Sequence, residues 1–209
     1  MKTILCYGDS NTYGYDPNNG GRYPKECRWT TILQEKLGQE YEVISEGLNG
    51  RTTAYDRPDG AYKNGLSYLT VCLASHKPLD YVIFMLGTND CNCDLHLTSE
   101  DIARGMQRLV LTTQRDLSVL QGYFPKIIIV VPAAIGKGYK TSPFSEQLDE
   151  ESVRKSHEIA SLYKEVADKY NCEYLDCSNV LEVSPLDSEH LTIESHKELA
   201  NMIFNHFFY

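Results

Sequence analysis

Short, nearly continuous apolar runs recur along the chain at Thr3–Tyr7, Tyr41–Ile44, Tyr81–Leu86 and Ile127–Val131, with a shorter one at Glu173–Leu175. Runs of this length, rich in β-branched residues and without polar alternation, predict strands of a sheet covered on both faces. Between them the apolar period becomes helical: Trp29, Ile32, Leu33 and Leu37 share one stripe, and Gly38 follows as a stop signal. Thr98 with Asp101 three residues on resembles a capping box, and Ile102, Met106, Leu109 and Val110 continue an apolar face behind it. Val153, Ala160, Tyr163, Ala167 and Tyr170 trace a further helix, and Leu199, Ala200, Ile203 and Phe207 trace the last. Strands alternating with helices predict right-handed crossovers and a mostly parallel sheet. The flavodoxin-like strand order 2-1-3-4-5 sets the first and third strands side by side, so residues just after them line one crevice.

Candidate chemistry collects at those strand ends. The first run breaks into Gly8-Asp9-Ser10-Asn11, and a buried strand ending on a glycine turn is how open α/β sheets display a nucleophile. A Gly-Asp-Ser turn also simply caps a helix, so Ser10 needs a base and an oxyanion hole to mean more. The third strand ends in Gly87-Thr88-Asn89-Asp90; Asn89 is either a turn residue or an amide donor aimed at a developing oxyanion. After the second strand comes Glu46-Gly47-Leu48-Asn49-Gly50-Arg51, with two glycines three apart that free the backbone to approach a ligand and offer it an N–H donor. Directly before the last helix stands Asp187-Ser188-Glu189-His190. A carboxylate three residues before a histidine can fold back onto Nδ1, fix the tautomer and leave Nε2 free to accept a proton.

Composition narrows the alternatives. With 209 residues the chain suits one domain spanning 1–209, and its 42% hydrophobic and 23% charged residues are ordinary for a globular protein. A formal charge of -9 without a basic cluster argues against nucleic acid and anionic lipid as partners. No apolar stretch reaches a membrane span, and Met1-Lys2-Thr3 runs into a strand rather than a signal segment, so the expected location is cytoplasmic. Seven cysteines, an odd number, fit reduced thiols. Cys91-Asn92-Cys93 alone is too little for a metal centre, so neither metal nor cofactor is expected. Two loops, Tyr15–Cys27 and Ala133–Gln147, are long enough to be functional.

Taken together, Gly8-Asp9-Ser10-Asn11, Gly50, Gly87-Thr88-Asn89-Asp90 and Asp187-x-x-His190 resemble the blocks of the SGNH hydrolases, also called the GDSL lipase/esterase family, in order and spacing. Ile4–Gly14, Arg28-Trp29-Thr30, Glu46-Gly47-Leu48-x-x-Arg51-Thr52-Thr53 and Met85–Asp90 are similar to the bacterial arylesterase and acyltransferase branch. The resemblance implies a flavodoxin-like three-layer α/β/α sandwich and hydrolysis of small or short-acyl esters through an acyl-enzyme. It implies Ser10 as nucleophile, His190 as general base and Asp187 as its orienting carboxylate. The oxyanion hole would be the N–H groups of Ser10 and Gly50 with the side-chain amide of Asn89, while Asp9 organises the turn. Asn11 stands where the family name has leucine, and Tyr13 where the close branch has tryptophan at the rim of its acyl pocket. Both are therefore expected to bind substrate, and they bear on the chain-length preference and on the acyl transfer to alcohols that the resemblance also implies. The branch forms homo-oligomers, which would make the two long loops interface elements; otherwise they cover the crevice.

Two other functions compete. The same machinery removes acetyl groups from carbohydrates or natural products, and Tyr13, Tyr15, Tyr23, Tyr55 and Tyr62 would then stack on sugar rings or merely pack. A non-catalytic binding module has no need for Ser10, Asn89, Asp187 and His190 together.

Overall fold

The computed structural model describes residues 1–209. Five strands, β1 (Lys2–Gly8), β2 (Tyr41–Gly47), β3 (Tyr81–Met85), β4 (Lys126–Val131) and β5 (Glu173–Asp176), form one sheet in the order β2-β1-β3-β4-β5. Every pairing in it is parallel, the expected flavodoxin-like arrangement. Alternate residues of each central strand face opposite ways, and this splits the core in two. Leu5, Tyr7, Val82, Phe84, Ile127 and Ile129 face α3 (Gly65–His76), α4 (Ser99–Leu120) and α5 (Glu150–Tyr170). Ile4, Cys6, Ile83, Met85, Ile128 and Val130 face α2 (Trp29–Leu37) and α6 (Ile193–Phe207). The result is the three-layer α/β sandwich that apolar runs buried on both sides require.

The expected capping box exists: Thr98 accepts from the Asp101 N–H while Asp101 accepts from the Thr98 N–H, closing the start of α4. The apolar pattern does not predict helix α3. Its inner face is Leu69, Cys72 and Leu73, but Tyr68 and Val71 are exposed, so apolar residues surround it and blur the stripe. Asn64 starts it by accepting from the Leu66 and Ser67 N–H groups. The strand expected over Tyr81–Leu86 ends at Met85, because the Leu86 carbonyl accepts from the Tyr163 hydroxyl at 3.0 Å instead of continuing the ladder. The two long loops are partly ordered, Tyr15–Asp16 pairing antiparallel with Gly21–Arg22 and Lys137–Thr141 forming a 3-10 turn.

What positions the site is the crowding of strand ends. Helix α1 (Ser10–Tyr13) leaves β1 at once and lies over the end of β2, where a Cβ on Gly47 would fall 2.0 Å from the Tyr13 nitrogen and 2.5 Å from the Thr12 carbonyl carbon. Gly47 therefore serves close packing of backbone on backbone and not, as its spacing suggested, approach to a ligand. Gly50 differs, adopting φ 78° at the mouth of the crevice. Replacing Gly47 by Ala must push α1 off the sheet. The expected loss is about 1–3 kcal/mol in denaturant-derived unfolding free energy, with a parallel loss of whatever reactivity Ser10 has; an unchanged midpoint would refute the packing argument.

Candidate active site

Ser10 begins α1, a single turn held at both ends. Asp9 caps it by accepting from the Asn11 N–H at 2.9 Å, and Gly14, in the left-handed region at φ 87°, returns its N–H to the Ser10 carbonyl. Asp9 is buried, and desolvation outweighs the Asn11 N–H to carry its carboxyl up to about 7. Its role is the expected one of organising the turn.

The partner of Ser10 comes from the far end of the chain. Asp187 folds back as the spacing predicted: Oδ2 accepts from His190 Nδ1 at 2.8 Å, while Oδ1 accepts from the N–H groups of Glu189 and His190 at 3.1 and 3.0 Å. Burial alone would raise the Asp187 carboxyl, but the His190 bond and charge and these N–H groups hold it below its ordinary value. An ionised carboxylate only accepts, so Nδ1 carries the proton and Nε2 presents its lone pair. Ser10 Oγ lies 2.8 Å from that nitrogen. For His190, burial favours the neutral ring, yet the Asp187 bond with the charges of Glu189, Asp187 and Asp9 outweighs it and raises the imidazole above its ordinary value. Tyr15 stacks on the ring with centroids 4.2 Å apart, and Phe144 meets it edge-on at 5.7 Å. Both lie in the long loops, each of which supplies a wall of the crevice.

Across from the imidazole, Asn89 opens a 3-10 turn at the end of β3. Its Nδ2 donates to the Arg51 carbonyl at 3.2 Å, and Arg57 reaches its Oδ1 at 3.5 Å, which fixes the amide orientation and leaves one N–H free. The N–H groups of Ser10 and Gly50 take no part in the turn and loop hydrogen bonds. The backbone between β2 and α3 is tied down by Arg51, which donates to the Gly8 and Glu46 carbonyls, and by Asp90, which accepts from the Thr53 N–H and hydroxyl. Ser10, His190, Gly50 and Asn89 thereby line one cavity of about 200 Å³ with Tyr15, Phe144, Arg57 and Glu189. A larger depression of about 740 Å³ between the first turns of α4 and α5 contains none of these groups.

Asn11 and Tyr13, expected at the substrate, both find partners within the protein. Asn11 is buried with its amide turned from the cavity, Nδ2 donating to the Glu189 carbonyl at 3.3 Å and Oδ1 accepting from the Leu191 N–H at 2.9 Å. It ties the serine turn to both flanks of His190. Tyr13 lies outside the cavity lining, its ring under the Arg22 guanidinium at 4.1 Å. Tyr15, two residues further on, occupies the wall instead. Arg57, Gln147 and Glu189 also line the cavity without having been singled out by motif; Glu189 sits inside Asp187-x-x-His190, and Gln147 ends a loop flagged by length alone. Cys91 packs in the core and Cys93 faces the Glu146 carbonyl. Glu46, Cys72 and His76 bring ligand-type atoms within 4.8 Å of one another, but His76 already pairs with Glu46 at 2.8 Å and burial carries the Cys72 thiol up to about 12.

A serine, an imidazole and a carboxylate in a hydrogen-bonded chain, with amide donors beside them at the carboxyl ends of a parallel sheet, define a serine hydrolase of the α/β class. The chain belongs to the GDSL-like lipase/acylhydrolase family, whose profile matches residues 6–196. A carbohydrate acetylesterase from Sinorhizobium meliloti is similar at 36% identity and TM-score 0.91, covering 98% of this chain and 97% of that one. The native aryl esterase of M. smegmatis is similar at 35% identity and TM-score 0.89, covering 98% and 99%. A search of curated proteins returns no match. No helix is long and apolar enough to cross a membrane.

The Asn11 tie yields a test. Asn11→Ala leaves the buried Leu191 N–H and Glu189 carbonyl without partners. Unfolding free energy should fall by about 1–3 kcal/mol, and ester turnover should fall through kcat with KM nearly constant. A raised KM at unchanged kcat would restore Asn11 to the substrate.

Proposed function

We propose that the protein hydrolyses small or short-acyl carboxylic esters through an acyl-enzyme on Ser10, with His190 as general base and Asp187 holding its tautomer. The observation that carries this reading is the continuous chain Asp187–His190–Ser10, with both links at 2.8 Å, opening into a cavity that also presents Gly50 and Asn89. As Ser10 Oγ bonds to the carbonyl carbon, its proton passes to His190 Nε2, and Asp187 stabilises the imidazolium. The carbonyl oxygen takes up negative charge, which the N–H groups of Ser10 and Gly50 and the free N–H of Asn89 meet. The carbon–oxygen bond to the alcohol then breaks, and His190 returns the proton to the leaving oxygen. Water, deprotonated by the same nitrogen, releases the acid and frees Ser10. A cavity of about 200 Å³ walled by Tyr15 and Phe144 supports short acyl groups.

The structural relatives named for aryl and for carbohydrate esters leave the alcohol open, but one observation favours the deacetylase reading as a second choice. Arg57, Asp59, Lys63 and Gln147 give the cavity more donors and acceptors than an aryl ester needs. Seven free cysteines, four of them buried, support a reducing, cytoplasmic setting.

Ser10→Ala and His190→Ala should each abolish phenyl acetate hydrolysis by at least about a thousandfold and prevent labelling by a fluorophosphonate. Near-normal turnover by folded variants would sink the assignment. His190 must be neutral to accept a proton, so kcat/KM should rise with pH, with its midpoint above the ordinary histidine value near ~6.5. In Asp187→Asn, which loses the charge and bond that raise the imidazole, that midpoint should move down while kcat drops on the order of 10³–10⁴. A midpoint that stayed in place would assign the titration to another group.

A further inference from the structure

Glu189 lines the crevice beside His190, yet the mechanism above gives it no task. It is only 6% exposed, and its carboxylate makes no hydrogen bond or ion pair within the protein although its backbone is held by Asp187 and Asn11. Its oxygens are not among the sealed, unpartnered atoms of the interior, so they open onto the cavity it lines with Ser10 and His190. A buried carboxylate without a donor is unfavourable, and burial raises its carboxyl accordingly. Folding tolerates such a group more readily when a ligand completes it.

We propose that Glu189 determines specificity by accepting a hydrogen bond from a hydroxyl on the alcohol part of the ester, so that the site selects neutral, hydroxyl-bearing alcohols. The inference rests on the acyl-enzyme reading of Ser10. Two observations direct it. First, the cavity lining carries as many acidic as basic groups: Arg57 and Lys63 share Asp59 at 2.9 and 2.6 Å, and Glu189 is the second carboxyl. A balanced lining around a small space disfavours a net ion of either sign and suits a molecule that donates at one end and accepts at the other. Second, His190 Nε2 must reach the leaving oxygen to return its proton, which puts the alcohol on the imidazole side of the cavity. Glu189 lines the same cavity as His190 and is among the groups whose charge acts on the imidazole, which puts its carboxyl on that side. Tyr15 and Phe144 supply ring faces for the C–H surface of such an alcohol.

The test compares the wild type with Glu189→Gln and Glu189→Leu on a mono-O-acetylated methyl glucoside, phenyl acetate and acetylcholine, the cationic control. The readout is the ratio of kcat/KM for the sugar acetate to that for phenyl acetate. It should fall at least about tenfold in Glu189→Leu, the worth of a hydrogen bond to a charged group, mainly through KM. It should fall less in Glu189→Gln, whose amide oxygen still accepts. Fluorophosphonate labelling of Ser10 certifies each variant as folded, and if Glu189→Leu fails it, a fall of about threefold or more in Glu189→Gln decides. An unchanged ratio, an equal fall on both acetates, or a wild type that prefers acetylcholine to the sugar acetate would overturn the proposal. Labelling with phenyl acetate turnover and an unchanged ratio would remove Glu189 alone, whereas a wild type that neither labels nor hydrolyses any of the three would remove the Ser10 reading beneath it.

Discussion

The site depends on one crossing of the chain, the pair of hydrogen bonds by which Asn11 holds the backbone on either side of His190. Ser10 and His190 are separated by nearly the whole sequence, and neither α1 nor the loop before α6 is long enough to be rigid by its own helical bonds. A primary amide offers a donor and an acceptor at once, and here they match a carbonyl and an N–H that flank the histidine. The 2.8 Å contact between Oγ and Nε2 is thus the consequence of a clamp one residue away from each partner. Below it, Gly47 lets α1 sit on β2, so the sheet, the serine turn and the histidine loop form one stack.

Electrostatics at the carboxyl ends of the strands follow from the balance, at each carboxylate, between burial and the donors and charges that face it. Asp9, Asp90, Asp187 and Glu189 are all buried there. Desolvation dominates for Asp9 and Asp90, carrying them to about 7 and about 6 despite their hydrogen bonds, and it raises Glu189, which has none from its side chain. Asp187 alone goes down, because three N–H groups including that of His190 converge on it. The environment therefore separates four similar groups into one committed anion beside the imidazole and three that hold their protons more tightly. Asp187, bonded to the ring, is the carboxylate its surroundings favour most, while Glu189 and Asp9 add to the field that raises the imidazole.

The sheet and its order were legible in the sequence because buried parallel strands are written as apolar runs, and the strand order then brought Ser10 and Asn89 to one crevice without any contact information. The Asp187-to-His190 spacing was legible for a local reason, since three residues are enough for a side chain to reach back. Helix α3 was not, because exposed Tyr68 and Val71 mask the stripe of Leu69, Cys72 and Leu73. Nor was the placement of Tyr15 over His190, which is set by a hairpin of two-residue strands whose pairing leaves little pattern. Gly47 shows the same limit in a different form: the glycine was evident, but whether it admits a ligand or a neighbouring helix depends on packing.

Position 11 carries the last step. A side chain adjacent to the nucleophile is a natural place to look for pocket shape, and a leucine there would have only van der Waals contacts to offer. An asparagine is forced by its own polarity to find partners once buried, and the partners within reach are the peptide groups around His190. Satisfying them turns the side chain out of the cavity and fixes the backbone of residue 189 as well as that of the histidine. The direction in which Glu189 points is therefore set by the same amide that sets the base, which makes the geometry for turnover and the geometry for choosing an alcohol two outcomes of one buried hydrogen-bond requirement.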